Sequence, residues 1–234
     1  MTENKFVECV TKLGIEINDL QLNQLKQYYE LLIEYNNKIN LTAIVNKEDV
    51  YLKHFYDSLT LFKAIDLNKI ETMCDVGSGA GFPGIVIKIL FPKIKITLID
   101  SLNKRILFLK DVIKKLNLKE IEAIHQRAEI FALSNREKYD LVTARAVAPL
   151  NVLSELCIPL IKKDGYFVAM KGNNKEELKT SEKAIKKLGG NITKIINFIL
   201  IFENSNRTLI KIKKVNLTSK KFPRKYSDIK KNPL

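Results

Sequence analysis

The stretch Cys74-Asp75-Val76-Gly77-Ser78-Gly79-Ala80-Gly81-Phe82-Pro83-Gly84 joins an apolar run, Thr72 to Val76, to a helical pattern that begins at residue 84. Glycine carries no Cβ and reaches positive φ without strain, so such a loop lets a ligand approach the backbone closely. Two ligands fit. Gly79, Gly81 and Gly84 satisfy G-x-G-x-x-G, and Asp100 closes the next apolar run at about the distance where a carboxylate binds a dinucleotide ribose. Asp75 helps to separate the two readings. A carboxylate at the strand mouth repels a pyrophosphate and complements the ammonium and sulfonium of S-adenosylmethionine. Pro83 lacks the amide donor a pyrophosphate-binding helix start offers, although proline is common there for steric reasons. The methyl donor is therefore preferred to a nicotinamide dinucleotide, and either to a purely structural turn.

Outward from the loop, the pattern predicts strands over Thr72 to Val76, Ile94 to Asp100, Ile121 to His125, Tyr139 to Ala144 and Tyr166 to Met170. Helical patterns near 84–91, 103–117, 149–161 and 174–188 separate them, and that alternation implies a doubly wound parallel sheet. Ile192 to Glu203 and Thr208 to Val215, joined by Asn204-Ser205-Asn206, read instead as a hairpin. Five parallel strands and a C-terminal antiparallel hairpin resemble the class I S-adenosylmethionine-dependent methyltransferase (Rossmann-like) α/β fold. Upstream, Leu20, Leu22, Leu25, Tyr28, Tyr29, Leu32 and Ile33 recur at intervals of three and four, giving a helix with one apolar face. Asn40-Leu41-Thr42 reads as a turn, and residues 47–65 as a second amphipathic stretch. The expected organisation is an N-terminal helical extension (1–70), a methyltransferase domain (71–217) and a basic C-terminal tail (218–234).

Composition sets the remaining bounds. At 234 residues, with 46% hydrophobic and 28% charged residues, the chain is long and apolar enough to bury a core, which excludes a disulfide-stapled mini-protein and wholesale disorder. The start MTENKFVECV has no basic segment followed by an apolar run, and no membrane span is visible, so a soluble cytoplasmic protein is expected. Cys9, Cys74 and Cys157 are scattered, suggesting neither a disulfide nor a zinc site. The net charge of +14 is uneven: −2 over residues 1–70, +3 over 71–160 and +13 over 161–234. From Lys211 onward nine basic residues face the single acid Asp228. A polyanion is the natural partner, because neutralising phosphates releases counterions.

Other residues carry chemistry by position. Asp100 offers two oxygens to ribose hydroxyls or, alternatively, a helix cap. Arg127-Ala128-Glu129 follows the third strand where main-chain donors can read an adenine edge, with Phe82 or Ile130 as apolar wall. Arg145 ends the fourth strand and Lys171-Gly172 the fifth, so both cations face the crevice where doubly wound folds bind ligands, and together they point to an anionic substrate. His54 and Asp57 fall three apart on one helical face and are placed to share a hydrogen bond in a structural role, not to bind metal. Phe222-Pro223-Arg224-Lys225 with Tyr226 interleaves aromatics and cations, which suits bases and phosphates. After the fourth strand, Ala144-Arg145-Ala146-Val147-Ala148-Pro149 replaces the Asn/Asp-Pro-Pro-aromatic turn of amino-group methyltransferases, and Cys157 lies in an apolar helical pattern. A ring nitrogen such as guanine N7, which needs no deprotonation, is the economical acceptor.

The ordered set of these motifs resembles the RsmG (GidB) family of bacterial small-subunit rRNA guanine-N7 methyltransferases. It comprises Tyr35-Asn36, Asn40-Leu41-Thr42, His54-x-x-Asp57-Ser58, Asp75 to Ile85, Asp100-Ser101-x-x-Lys104-Arg105, Arg127-Ala128-Glu129, Ala144-Arg145-Ala146, Lys171-Gly172, Phe222-Pro223-Arg224-Lys225 and Lys231-Asn232-Pro233-Leu234. The resemblance implies methyl transfer from S-adenosylmethionine to N7 of a guanine in the decoding-region loop of 16S rRNA. It implies cofactor contacts at Gly77, Phe82, Ala128, Glu129 and Arg145, with Asp100 at the ribose. The full expected cofactor set is Asp75, Gly77, Gly79, Gly81, Phe82, Asp100, Ala128, Glu129 and Arg145; Arg145, Lys171, Arg224 and Lys225 are expected on the RNA. The partner is 16S rRNA or the 30S subunit, with neither metal nor membrane, and the chain is expected to be monomeric. Tyr226-Ser227-Asp228-Ile229 departs from the small, glycine-containing residues of many relatives. A dinucleotide-dependent oxidoreductase and a non-enzymatic RNA-binding assembly protein are the competing classes.

Overall fold

Strand β1 (Thr72–Val76) is buried from Met73 onward, which is why it reads as a continuous apolar run without alternation. A computed structural model describes residues 1–145, 148–172 and 175–234, with side chains left out for 175, 176 and 179. Ala146, Val147 and residue 174 of the expected fourth crossover helix lie outside the described residues. On one side β1 pairs in parallel with β2 (Lys95–Asp100), which pairs with β3 (Ile121–His125). On the other it pairs with β4 (Tyr139–Arg145), then β5 (Ile161–Lys171). The chain reverses direction across the sheet between β1 and β4, the topological switch point at which such sheets open a crevice.

The hairpin completes the order β3-β2-β1-β4-β5-β7-β6, with β7 (Ser205–Lys214) antiparallel to both β5 and β6 (Gly190–Leu200). Its turn falls earlier than the Asn204-Ser205-Asn206 expected: Ser205 and Asn206 already pair with Leu200 and Ile199. Phe202 and Asn204 take positive φ instead, placing the reversal among residues 201–204. Strand β5 starts at Ile161 rather than at Tyr166, because the exposed Lys162, Lys163 and Asp164 hide its pairing behind a polar surface.

Helices cover both faces. Met73, Ile96, Leu98, Leu141 and Val168 point to one core and Cys74, Ile99, Val142, Phe167 and Ala169 to the other, the period-two alternation of strands. The first core is closed by α1 (Glu3–Lys12), α2 (Asp19–Ile39), the broken helix running from α3 (Lys47–Val50) through a π-helical turn (Tyr51–Tyr56) into α4 (Asp57–Leu59), α5 (Gly84–Leu90) and α6 (Asn103–Lys115). The second is closed by α7 (Ala128–Ser134), α8 (Leu150–Cys157) and α9 (Lys175–Lys187). Helix α10 (Tyr226–Lys231) adds Ile229 to it. Helix α2 starts on a capping box between Asn18 and Gln21. Its expected apolar face is corrected at one end: Leu20 stays exposed in the first turn, and burial begins at Leu25 and runs through Tyr28, Leu31 and Leu32.

Helix α2 also reaches the glycine loop, where the Tyr28 hydroxyl donates to the Ala80 carbonyl. Gly81, at φ 101°, makes room for that approach. A Cβ there would come within 2.6 Å of the Tyr28 oxygen and 2.7 Å of Ile85 Cγ1. Gly81→Ala is expected to cost about 2 kcal/mol of stability, from overpacking and left-handed strain together. A denaturant midpoint unchanged from that of the parent would refute this packing role.

Candidate functional site

Three connected cavities run along the carboxyl ends of the strands. The first, of about 150 Å³, is lined by Val76, Ile99, Gln126 to Glu129, Leu156 and Tyr226. The second, of about 420 Å³, is lined by Leu41, Thr42, Ser78 to Ala80, Phe82 and Arg105. They share Gly77, Asp100 and Ser101, so the Asp100 carboxylate stands between them. The third, of about 400 Å³, lies towards the hairpin and includes Asp57, Met170, Lys171, Glu203 and Arg207. It shares His54 and Arg145 with the second.

The loop is held from inside. Gly77 and Gly79 take φ values of 71° and 60°. The Gly77 and Ser78 amides donate to the Ile99 carbonyl at 2.8 and 3.1 Å, and the Gly79 amide to Asp100 Oδ2 at 3.0 Å. Gly81 and Phe82 donate back to Ser78, and Gly84 to Asp75 Oδ2 at 3.0 Å. A pyrophosphate site needs free amides at a helix start. Here most of those amides are committed, and a buried carboxylate takes the Gly84 amide at the helix start. The three glycines of the dinucleotide spacing thus serve different ends: Gly79 faces the second cavity, while Gly81 and Gly84 admit Tyr28, Leu98 and Asp75.

Asp75 itself is fully buried and lines none of the three cavities, so it fastens the loop to the start of α5 rather than meeting solvent. Burial pushes its carboxyl up to about 7, against the pull of the Gly84 amide and the Arg145 charge. Among the described residues its Oδ1 is the only buried side-chain polar atom without a hydrogen-bond partner. Asp100 is also buried, but it accepts from Gly79 and Arg105 on Oδ2 and from the Leu102 amide, at 2.9 Å, on Oδ1. Asp100 does not cap α6, whose N-cap is Leu102 with no side-chain bond, but closes a local turn onto the Leu102 amide; a carboxylate has about four lone-pair sites and three are taken, which leaves one for a ligand.

At the far end of the second cavity, the expected His54–Asp57 hydrogen bond is replaced by a shared partner. Arg145 Nη1 donates to Asp57 Oδ2 at 3.2 Å and to the Lys53 carbonyl at 3.1 Å, and Nη2 lies 3.2 Å from His54 Nδ1. The π-helical turn over Tyr51–Tyr56 delivers His54 to the second and third cavities and places it one turn before Asp57. Asp57 Oδ1 accepts from Arg207 Nε at 3.0 Å. The imidazole stacks on Phe82, with centroids 4.3 Å apart, and its Nε2 is 2.9 Å from Thr42 Oγ1. Burial and the neighbouring guanidinium hold its pKa down to about 3. His54 is therefore neutral, with Nδ1 accepting from Arg145 and the ring proton placed on Nε2 by the network.

Other expected positions fall differently. Gly77, Gly79, Phe82, Asp100, Ala128, Glu129 and Arg145 all line the cavities. Lys171 lines the third, but its ammonium is engaged by the Ala148 carbonyl at 2.8 Å and Glu177 at 3.0 Å. Arg224, 27% exposed, pairs with the fully buried Glu155 through Nε at 2.8 Å and Nη2 at 2.6 Å, which anchors the chain end. Lys225 is exposed. Ile130, one candidate for the adenine wall, points outward with 47% exposure. The Cys74 and Cys157 thiols are buried and pushed well up by desolvation, which leaves neither suited to nucleophilic attack. Among the described residues no His/Cys/Asp/Glu group is arranged to hold a metal.

The sequence reading did not single out Arg207, Glu203 or Glu155, each of which has a partner far along the chain, and it placed Tyr28 only on an apolar helix face; Thr42 was named only within the Asn40-Leu41-Thr42 turn. Asp57→Asn removes the one carboxylate that balances two guanidiniums, and a loss of about 3 kcal/mol is expected by chemical denaturation. Retained stability would show that water screens this pair. For Asp75 the folded state holds a proton that the unfolded chain releases above its ordinary value near 4. Its contribution therefore falls as pH rises from about 4 to about 7, by up to about 1.4 kcal/mol per unit, and is flat above. In Asp75→Asn this slope should vanish; parallel stability–pH curves for the two proteins would refute the assignment.

A family model described as rRNA small subunit methyltransferase G (GidB) matches residues 21–219. The ribosomal RNA small subunit methyltransferase G of Bacillus licheniformis is 51% identical, over 100% of this chain and 99% of that protein. Its counterpart in Bacillus subtilis strain 168 is 48% identical over the same shares. Among solved structures, a variant of the 16S rRNA (adenine(1408)-N(1))-methyltransferase of Catenulisporales acidiphilia, determined with SAM, is similar at a TM-score of 0.54. It is 12% identical, over 64% of this chain and 87% of that one. The YcgJ protein of Bacillus subtilis is similar at 0.54, with 12% identity over 70% of this chain and 100% of that one. The structural likenesses give the class I S-adenosylmethionine-dependent methyltransferase fold. The full-length likenesses give more: the chain belongs to the rRNA small subunit methyltransferase G (GidB) family.

Proposed function

We propose that this chain transfers the methyl group of S-adenosylmethionine to N7 of a guanosine in the decoding-region loop of 16S rRNA, in the cytoplasm. The observation that carries the reading is the Asp100 carboxylate, set between two cavities at the switch point of the sheet with one acceptor position to spare. The cavities fit a nucleoside carrying an amino-acid arm. The first has apolar walls for adenine at Ile99, Ala128 and Leu156, and Asp100 is placed for a ribose hydroxyl. The second takes the arm, where Arg105 offers positive charge to a carboxylate. A Cβ on Gly79 would meet only the Gly77 carbonyl, at 3.9 Å, so this glycine keeps space that a side chain would take from the ligand.

When bound, S-adenosylmethionine supplies a methyl on a positively charged sulfur, which a lone pair accepts without prior deprotonation. The chain's own task is then to position the base and exclude water. His54 supports that division: both ring nitrogens are engaged and the imidazole stays neutral, so it holds Arg145 and Phe82 in place instead of taking a proton. The third cavity, beyond Arg145, is the proposed seat of the guanine. Its lining sets the carboxylates Asp57 and Glu203 among the more numerous cations Lys53, Arg145, Lys171 and Arg207, a surplus that suits the phosphates flanking the base. The exposed Lys220, Lys221, Lys225, Lys230 and Lys231 serve the RNA backbone. Residues 1–70 are assigned as the helical extension, 71–217 as the methyltransferase domain and 218–234 as the basic chain end. Among the described residues no helix is long and apolar enough to cross a membrane.

The test is methyl transfer from labelled S-adenosylmethionine to 30S subunits from cells lacking this protein, with the modified base mapped by cleavage at N7-methylguanosine. Label at a single guanosine of the decoding-region loop is the expected result. Cofactor binding without label on any ribosomal RNA would overturn the reading in favour of a non-catalytic assembly role.

A further inference from the structure

We propose that the chain end, from Thr218 to Lys231, is a wall of the cofactor site, with Tyr226 as a binding residue for the adenine ring. The inference rests on the cofactor reading above and adds a residue to it that lies ~100 positions beyond the third-strand motif.

The segment is docked, not free. Arg136, after α7, donates to the Thr218 and Phe222 carbonyls, and Phe222 and Ile229 are buried in the core beneath α8. Glu155, fully buried on α8, accepts from the Arg224 guanidinium through two bonds and from the Arg224 amide at 2.9 Å. A buried carboxylate satisfied by one residue in this way fixes that residue firmly, because separating them leaves an uncompensated charge. Two positions later the chain enters α10, and Tyr226 arrives at the first cavity opposite the motif that follows β3.

Tyr226 lines that cavity with Val76, Ile99, Ala128 and Leu156. The Arg127 guanidinium sits over its ring at 4.5 Å from the centroid, and Arg127 Nε donates to Glu129 at 2.6 Å. Glu129, Arg127 and Tyr226 therefore form a connected rim around an apolar floor. A flat heteroaromatic base matches this chemistry: aliphatic walls below, an aromatic ring at the side, and polar edges at the rim. The ring is held in place before any ligand arrives, so little ordering remains to be done on binding.

The experiment measures affinity by calorimetry for S-adenosylhomocysteine and for 5′-methylthioadenosine, which shares the adenosine but lacks the amino-acid arm. Tyr226→Ala should weaken both about tenfold, as expected for loss of one aromatic–base contact, and Tyr226→Phe should restore both to within about twofold. Tyr226→Leu, which keeps an apolar side chain on the docked segment, should remain weakened for both while protease resistance of the chain end is retained. Affinities for Tyr226→Ala within twofold of the parent, or a loss seen with S-adenosylhomocysteine alone, would overturn the inference while leaving the cofactor reading intact. Failure of the parent protein to bind either ligand would overturn the cofactor reading and this inference with it.

Discussion

Asp57 is a single buried carboxylate that answers two guanidiniums, Arg145 on one oxygen and Arg207 on the other. Those three residues come from the broken N-terminal helix, the carboxyl end of β4 and the hairpin strand β7, parts of the chain with no local reason to meet. A charge in this setting is tolerable only when its partners are present and well aligned. The pairing therefore sets where the helices upstream of the sheet sit against it. It also sets the third cavity, whose walls include all three residues. Arg145 carries the constraint further, into the second cavity, by lying over Phe82 at 5.2 Å from the ring centroid and against His54.

The glycine loop is fixed by a similar logic from the other side. The amides of Gly77, Ser78, Gly79, Gly81, Phe82 and Gly84 are taken by Ile99, Asp100, Ser78 and Asp75, and the Ala80 carbonyl by Tyr28. A loop tied down in this way cannot offer a cradle of donors to a diphosphate; it offers a shaped backbone surface and a carboxylate at its edge. The distinction between two cofactor classes with overlapping sequence patterns thus lies less in the glycines than in what their amides already bind. Asp75 made the difference legible by its charge, although the structure places it beneath the loop instead of in the cavity.

Much of the sheet was visible in the sequence because strands buried on both faces are predominantly apolar, as Thr72–Val76 is from Met73 onward, while the edge strand Ile121–His125, with only Ala123 buried, was legible from its Ile-rich, half-exposed pattern. The limits that shifted did so where side chains do not report backbone pairing. Lys162 to Asp164 are exposed yet belong to β5, and Ser205 and Asn206 are turn-forming residues that nonetheless pair. Among the residues expected at the site, Gly77, Asp100, Ala128 and Arg145 each follow or close a strand, and each lines a cavity. Arg207 and Glu155 were not singled out, since their partners lie 69 or more positions away, and Tyr226 was read with the cations around it rather than with the cavity that it lines. Two of the clustered C-terminal cations have partners that the sequence does not show: Arg224 and Lys214 are each paired with a glutamate, and Lys214 is fully buried.

The chemistry that remains for such a site is economical in protons. No thiol is poised to attack, because Cys74 and Cys157 are buried with their ionisation suppressed, and the one cavity-lining imidazole is neutral with both nitrogens occupied. An acceptor that had to lose a proton before reacting would have to use Asp57 or Glu203 as its base, and both carboxylates are already held in ion pairs. A lone pair on an aromatic ring nitrogen needs none. What it does need is a fixed line of approach, and in the adjoining cavity Asp57 and Glu203, ion-paired with Arg145, Arg207 and Lys53, are polar groups held in fixed positions. The buried ion network that holds the fold together at this edge is thereby also the polar wall against which a flat, electron-rich base would be set.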